Sequence, residues 1–212
     1  MDRILVMCAS RDRPAQLRTM IDSVHETSVN ADVAVDIDED QRAEYSRLGG
    51  VRLVVGPRIG PCQSLNCLFS TFNTYLAYGA ATDDCTFLTH GWDNWVLRTA
   101  RSFKNGIGVM APYLEGQVRT MDFPWATAAF IRTVGFFAYS KLYHFYWDVL
   151  LEILGEGRCA AYAGPDDFQV AHPTHPSSNL AEHMLQDSHE FTRWCAFHRK
   201  PAIRELEAAI AA

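Results

Sequence analysis

Tyr75-Leu-Ala-Tyr-Gly-Ala-Ala-Thr-Asp83-Asp84 is the stretch on which the reading of the fold turns. An apolar run of strand character stops at two adjacent carboxylates. In an open α/β sheet, residues at the C-terminal end of a strand border the ligand crevice. Two neighbouring carboxylates repel each other unless a cation lies beside them. Hard cations such as Mg²⁺ or Mn²⁺ are held by one or two carboxylates together with substrate phosphates. The pair therefore points to metal-assisted chemistry on a phosphorylated substrate. The competing reading is local, with Asp-Asp capping the turn or helix that follows.

Working outward from this stretch, the flanking segments alternate between strand and helix patterns. Ile4 to Cys8 is a continuous apolar run, as a strand buried on both faces requires. Pro14 suits the first turn of a helix, in which Leu17, Met20, Ile21 and Val24 recur at helical spacing. A second strand is expected over Asp32 to Ile37, a short helical segment over Gln41 to Leu48, and a third strand over Val51 to Val55. Cys62 to Asn73 reads as a helix, and Tyr75 to Ala81 as the fourth strand. This alternation predicts βαβ units and a mostly parallel sheet. Beyond it, Trp92 to Lys104 and Tyr146 to Leu154 read as helices, and Ile107 to Ala111 and Arg158 to Ala163 as strands. Trp125 to Ile131 reads as a strand or buried extended segment, and from Pro176 onward the chain reads as helices.

Composition narrows the class. A chain of 212 residues that is 48% hydrophobic fits one globular domain with a full core. A net charge of -6, without a long run of one sign, argues against coating nucleic acid by bulk electrostatics. The six cysteines form no CxxC pair, which argues against a zinc ribbon and for buried thiols in a reducing compartment. No charged-then-apolar leader opens the chain, and no apolar stretch approaches the ~20 residues that span a bilayer. A soluble, cytoplasmic protein without stable membrane insertion is expected.

Several other residues carry candidate chemistry. Alternation places Asp36 and Asp38 on one face at the end of the second strand. There a carboxylate can bind ribose hydroxyls or a base N–H, or it belongs to a solvated acidic loop with Glu39 and Asp40. Arg11 and Arg13 follow the first strand, where guanidinium forks suit a diphosphate; otherwise they are a surface pair beside Asp2 and Asp12. Arg58 and Gly60 lie in the loop after the third strand, before a helix N-terminus that favours an anion. There is no GxGxxG and no P-loop lysine, so neither a Rossmann dinucleotide site nor a Walker site is indicated. His172-Pro-Thr-His175 has loose spacing for a metal site, but an imidazole can complete a Mn²⁺ shell. Asp148, following His144-Phe-Tyr-Trp, is either a desolvated general base or a first-turn acid on its helix.

Taken in order, these pieces resemble a nucleotide-sugar glycosyltransferase of the GT-A fold, and within it the compact family 2-like transferases of bacteria and phages. The resemblance covers roughly Ile4 to Pro176. Its motifs are Arg11-Asp-Arg-Pro14, Val35-Asp-Ile-Asp38, Gly56-Pro-Arg-Ile-Gly60 with Asn66, Thr82-Asp83-Asp84 at the DxD-type metal position, and Thr89-His-Gly-Trp-Asp93. Pro124 to Thr127, Gly135-Phe136, His144 to Asp148 and His172 to Pro176 resemble the acceptor side and a late His-Pro element. Two departures stand out. Cys85 occupies the place of the usual third carboxylate, and HPTHP replaces HxHP, leaving the ligand open between His172 and His175.

The resemblance implies a GT-A domain over 1–176, with a nucleotide-sugar half (1–84) and an acceptor half (85–176), and a helical C-terminal extension over 177–212. It implies a nucleoside diphosphate sugar donor held by Arg11, Arg13, Asp36, Asp38, Arg58, Gly60, Asn66 and Asp83. Mn²⁺ or Mg²⁺ would lie on Asp84 with His172 or His175, and Asp148 would be the general base of an inverting displacement. The acceptor stays open among a glycan, a lipid carrier, a small molecule, a protein and a hydroxylated base in phage DNA. Two rivals remain: a nucleotidyltransferase, which would want a Gly-rich loop after strand one, and a non-catalytic nucleotide-sugar binder, which would lack Asp84 or Asp148.

Overall fold

In the computed structural model, which describes residues 2–114, 121–173 and 181–212, the first apolar run forms strand β1 (Ile4–Ser10), entirely enclosed along Ile4–Cys8. Its side chains alternate between two cores. Ile4, Val6 and Cys8 join one hydrophobic cluster, and Leu5 and Met7 join the other. That two-sided burial is why the run is continuously apolar rather than alternating.

Helix α1 (Pro14–Thr27) follows with Pro14 in its first turn, and buries Leu17, Met20, Ile21 and Val24. Next come β2 (Ala31–Asp38), a 3-10 turn (Glu39–Gln41) running into the short α2 (Arg42–Tyr45), β3 (Arg52–Gly56), α3 (Pro61–Thr71) and β4 (Ala77–Ala81). The first four strands are mutually parallel in the order β3-β2-β1-β4. The chain thus builds outward from β1 on one side, then returns to add β4 on its other side. The gap between β1 and β4 is a topological switch point, where ligands of open α/β sheets bind beyond the strand C-termini.

After β4 the chain turns back as β5 (Thr86–Phe87) and enters α4 (Trp92–Ser102). Then follow β6 (Val109–Ala111), β7 (Tyr113–Leu114), β8 (Trp125–Thr127) and α5 (Ala128–Val134). Strand β8 lies antiparallel between β4 and β6. At Gly79 on β4 an added Cβ would stand 1.9 Å from the Trp125 ring, so glycine there is a packing requirement. The expected extended segment Trp125 to Ile131 is in part a correction. It stops at Thr127, whose Oγ1 accepts the Phe130 N–H (3.2 Å) and caps α5.

Helix α6 (Trp147–Gly155), β9 (Ala160–Tyr162), β10 (Gln169–Ala171), α7 (Ala181–Phe197) and α8 (Arg199–Ala211) complete the order. The seven-stranded sheet runs β3-β2-β1-β4-β8-β6-β9, and β5-β10-β7 form a separate small sheet. Phe87 and Phe168 pack with Trp92, the latter nearly parallel at 4.7 Å between centroids, which joins the small sheet to α4. On the opposite face of the large sheet, Trp194 of α7 and Leu206 of α8 are buried in the core that also holds α3, α5 and α6. All six cysteines are free thiols. No helix among the described residues is long and apolar enough to cross a membrane.

Candidate active site

Asp83 and Asp84 follow β4 directly, beside the switch point. Their charges are met from the β1–α1 loop, where Arg13 places Nη1 at 3.3 Å from Asp83 Oδ1 and 3.1 Å from Asp84 Oδ2. Ser10, the last residue of β1, donates to Asp83 Oδ2 at 2.8 Å. Ser10 Oγ also lies 2.8 Å from the Tyr45 hydroxyl, which accepts the Arg13 backbone N–H at 3.1 Å. Ser10 has one hydroxyl proton and gives it to Asp83, so it accepts from the Tyr45 hydroxyl. Burial pushes the Asp83 carboxyl above its ordinary value; the Ser10 bond and Arg13 pull it down, while Asp84 pushes it up. Neither Ser10 nor Tyr45 was singled out by the sequence reading.

The strand register explains how His172 arrives here. Strand β5 leaves Asp84, and β10 returns antiparallel to it with Ala171 opposite Thr86. The next residue, His172, places Nε2 at 3.3 Å from Asp84 Oδ1. Phe123 packs edge-on against the His172 ring at 5.2 Å. Asp84 Oδ1 is buried and has no hydrogen-bond partner among the described residues, so this close approach is not itself a hydrogen bond. His175 lies outside the described residues.

A carboxylate oxygen without a hydrogen bond, next to an imidazole nitrogen and a second carboxylate, is a donor set that suits Mn²⁺ or Mg²⁺. Among the described residues no group of three His, Cys, Asp or Glu side chains could hold a metal alone. A cation here would need oxygens from a ligand, as the diphosphate of a nucleotide supplies. Cys85 does not add to the set: it is buried, and burial pushes its thiol up to about 12, so it stays protonated.

Strand β2 ends at the same edge. Asp36 and Asp38 share a face as expected, but in different settings. Asp36 is buried against α3, where Ser64 hydrogen-bonds to it, and burial raises its pKa despite that bond. Asp38 pairs with Arg11, which also forms a two-pronged contact to Asp40 (3.0 and 2.8 Å). Arg11 is thus engaged by the acidic end of β2, and its guanidinium holds the Asp40 carboxyl below the usual range. Arg58 is exposed and adds to the positive field on Asp40.

Two expected donor contacts take different places. Gly60 has φ +83° at the start of α3, and a Cβ there would meet the Tyr143 ring at 2.6 Å. The glycine accommodates a tyrosine, and the Cys62 N–H in the first turn of α3 donates to Tyr143 O at 3.1 Å. Asn66 accepts the N–H groups of Phe137 (2.9 Å) and Ala138 (3.1 Å) and donates back to Ala138 O. Its amide is a clamp on the 137–138 backbone.

Asp148 lies in the first turn of α6 and accepts the Val149 N–H at 2.9 Å. Burial raises its pKa, and the negative charge of Asp122 adds to the effect. Asp93, the acid of the Thr89–Asp93 stretch, sits elsewhere. Its Oδ2 accepts the N–H groups of Val29 (3.1 Å) and Asn30 (2.8 Å) and the Asn30 side chain (2.8 Å), at the α1–β2 turn. That turn is at the opposite edge of the sheet from Asp84. A groove of about 580 Å³ also opens at that far edge, lined in part by Arg3, Asp32, Arg52 and Tyr75, whose polar groups pair with one another.

No protein-family description and no curated protein sequence matches this chain. Solved structures do match. A mannosyltransferase from Pyrobaculum calidifontis, in complex with GDP-Man and Mn²⁺, is 14% identical with a TM-score of 0.63, over 99% of this chain and 74% of that one. Glucosyl-3-phosphoglycerate synthase from Mycobacterium tuberculosis, in complex with Mg²⁺ and UDP, is 14% identical with a TM-score of 0.66, over 92% and 80%. GalNAc-T7 with UDP, GalNAc and Mn²⁺ is 10% identical with a TM-score of 0.67, over 84% and 45%. The chain therefore has the GT-A fold of nucleotide-sugar glycosyltransferases.

Proposed function

We propose that this chain is a divalent-cation-dependent glycosyltransferase that moves a sugar from a nucleoside diphosphate to an acceptor hydroxyl. The observation that carries the reading is the Asp83–Asp84 pair at the switch point, faced by Arg13 and His172. The three transferases of like fold are in complex with nucleotides or a nucleotide sugar and Mn²⁺ or Mg²⁺, which supports assigning the same class of donor here.

In this reading Asp84 and His172, supported by Asp83, would hold Mn²⁺ or Mg²⁺, and His175 stays a candidate ligand. A cation bound there would supply positive charge against a leaving diphosphate. Arg13, free to exchange its carboxylate partners for phosphate oxygens, adds a second positive charge beside the same group. Asp36 and Asp38 at the end of β2 hold the nucleoside. Asp148 takes the proton from the acceptor hydroxyl; that oxygen attacks the anomeric carbon, and the bond to the diphosphate breaks with the electron pair leaving on the diphosphate. Attack from the face opposite the leaving group inverts the anomeric configuration. The raised pKa of Asp148 suits a base, because a more basic carboxylate accepts a proton more readily.

The test is calorimetry of UDP, GDP, dTDP and CDP with Mn²⁺ and with EDTA, followed by hydrolysis of the corresponding sugars. One nucleotide should bind only with the cation. Equal affinity in both buffers, or no binding of any nucleotide, would remove the metal-site assignment. A product that retains the donor's anomeric configuration would remove the single displacement.

A further inference from the structure

We infer that Asp187, on helix α7, is a positioning residue that sets the acceptor-side loop and, through it, Asp148. This rests on the transferase reading above. Asp187 is fully buried, and its carboxylate accepts three consecutive backbone N–H groups. Oδ1 takes Tyr143 at 2.7 Å, and Oδ2 takes His144 and Phe145, each at 2.8 Å. A carboxylate with three such donors is held in one orientation and holds the donors in turn.

The neighbours of Asp187 on α7 repeat the pattern. His183 and Phe191 stand four residues before and after it, on the same helix face. The His183 ring stacks on Tyr143 at 3.8 Å and 16°, and Phe191 stacks on Tyr146 at 5.0 Å and 20°. One stripe of α7 therefore grips each residue from Tyr143 to Tyr146. From the other side, the Cys62 N–H of α3 donates to Tyr143 O, and Tyr143 fills the space beside Gly60.

The gripped loop ends at Tyr146, which takes φ +67° and turns the chain into α6. Asp148 is two residues further on. Its position is thus tied to the carboxylate on α7 and to the α3 first turn, where the charges of Asp187 and Asp148 both act on Cys62 and where Ser64 contacts Asp36. Apolar packing would cover this loop without burying a charge, and burying one is costly unless its partners are well placed. What the charge adds is direction: it fixes the path of three successive amides immediately before the proposed base.

The experiment uses the full chain, with water as the acceptor. Wild type, Asp187→Asn, Asp148→Asn and the double variant are compared for Mn²⁺-dependent hydrolysis of UDP-glucose and GDP-mannose. Nucleotide affinity and amide exchange at Tyr143–Phe145 are measured alongside. Asp187→Asn should keep nucleotide affinity within about twofold and lower hydrolysis about tenfold or more. It should also speed exchange of the three amides, and cause no further loss in the Asp148→Asn background, because groups that act as one unit are not additive. If Asp187→Asn does not fold, Asp187→Glu, which keeps the charge one methylene out of place, should give the same split. Wild-type hydrolysis by these variants, or a loss that adds to that of Asp148→Asn, would overturn the inference. Failure of the underlying reading looks different: the wild type itself would bind no nucleotide and hydrolyse neither donor, and the inference would fall with it.

Discussion

The two edges of the central sheet hold buried carboxylates with opposite kinds of partner. At the strand N-terminal edge, Asp93 collects two backbone N–H groups and an asparagine side chain. At the C-terminal edge, Asp83 and Asp84 are met by Arg13, Ser10 and His172, all side chains. Among the described residues each edge leaves one carboxylate oxygen without a hydrogen bond, Asp93 Oδ1 and Asp84 Oδ1, so an unpartnered oxygen alone does not mark a site. What separates the edges is exchangeability. Backbone amides stay where the fold puts them, whereas the half-exposed Arg13 can swing from carboxylate to phosphate without unfolding anything. An acid tied to amides acts on the chain, and an acid tied to mobile cations can act on a ligand.

Replacement of one acid at each edge breaks the comparison most sharply. Asp84→Ala should lower turnover by about 10³-fold or more, the scale of losing a group that stabilises developing charge. Its melting temperature should stay close to wild type, because the variant also relieves repulsion with Asp83. Steady-state kinetics and a thermal melt decide it; a large drop in melting temperature with activity per folded molecule preserved would reverse the roles. Asp93→Ala should do the opposite. Three hydrogen bonds to a buried charge are lost, for a destabilisation of roughly 3 kcal/mol. In a chain of this size that lowers the midpoint by about 6–12 °C. Nucleotide affinity of the folded fraction should hold.

Asp148 sharpens the comparison, since it is partly buried and, among the described residues, bonded to backbone amides of its own helix turn, Val149 N–H at 2.9 Å foremost. Asp148→Asn should cost ~10²-fold in kcat and leave nucleotide binding intact. The acid limb of the wild-type pH profile should lie above the ordinary carboxylate value of about 3.9, because only the ionised form accepts a proton and burial raises the pKa at which it forms. The same shift fixes the sign for stability. A carboxyl with a raised folded pKa favours folding below its unfolded pKa, and that contribution is lost as pH rises through the folded value. At neutral pH Asp148→Asn should therefore melt at or above wild type. A lower melting temperature would make the acid a helix cap.

Much of the sheet was legible because β1 fills two cores and so appears as an unbroken apolar run, Ile4 to Cys8, with strand and helix patterns alternating after it. The small sheet was not, since β5 and β7 have two residues each and rest on pairing with β10, distant in sequence. Trp125 to Ile131 misled because its apolar residues suit a strand and a buried helix equally; only the Thr127 cap divides them. At the site, strand-end acids were visible from the abrupt change of polarity. Asn66 and Gly60 carried the right residue types for a ligand contact, yet each serves a loop more than seventy residues away. Asp187 lay in a plain amphipathic helix, and nothing local announces that its carboxylate meets residues 143–145.

The smallest effect tests the C-terminal edge at its least exchangeable point. Asp83 is held by a chain of donors: Arg13 N–H to Tyr45, Tyr45 to Ser10, Ser10 to Asp83. Tyr45 is fully enclosed, so Tyr45→Phe keeps its ring packing and removes one hydroxyl. The Arg13 amide and the Ser10 oxygen each lose a partner, for a cost of about 1 kcal/mol. Ser10 is then free to rotate away from Asp83. Cation affinity should fall modestly, by about 3–5-fold on the scale of a supporting hydrogen bond worth about 1 kcal/mol, while turnover at saturating Mn²⁺ should recover. Titration of activity with Mn²⁺ separates the cases. If Tyr45→Phe loses turnover that no Mn²⁺ concentration restores, the network acts on the reaction directly. If its Mn²⁺ dependence equals wild type, the network merely packs α2 against β1, and Asp83 belongs with Asp93 among the acids that serve the fold.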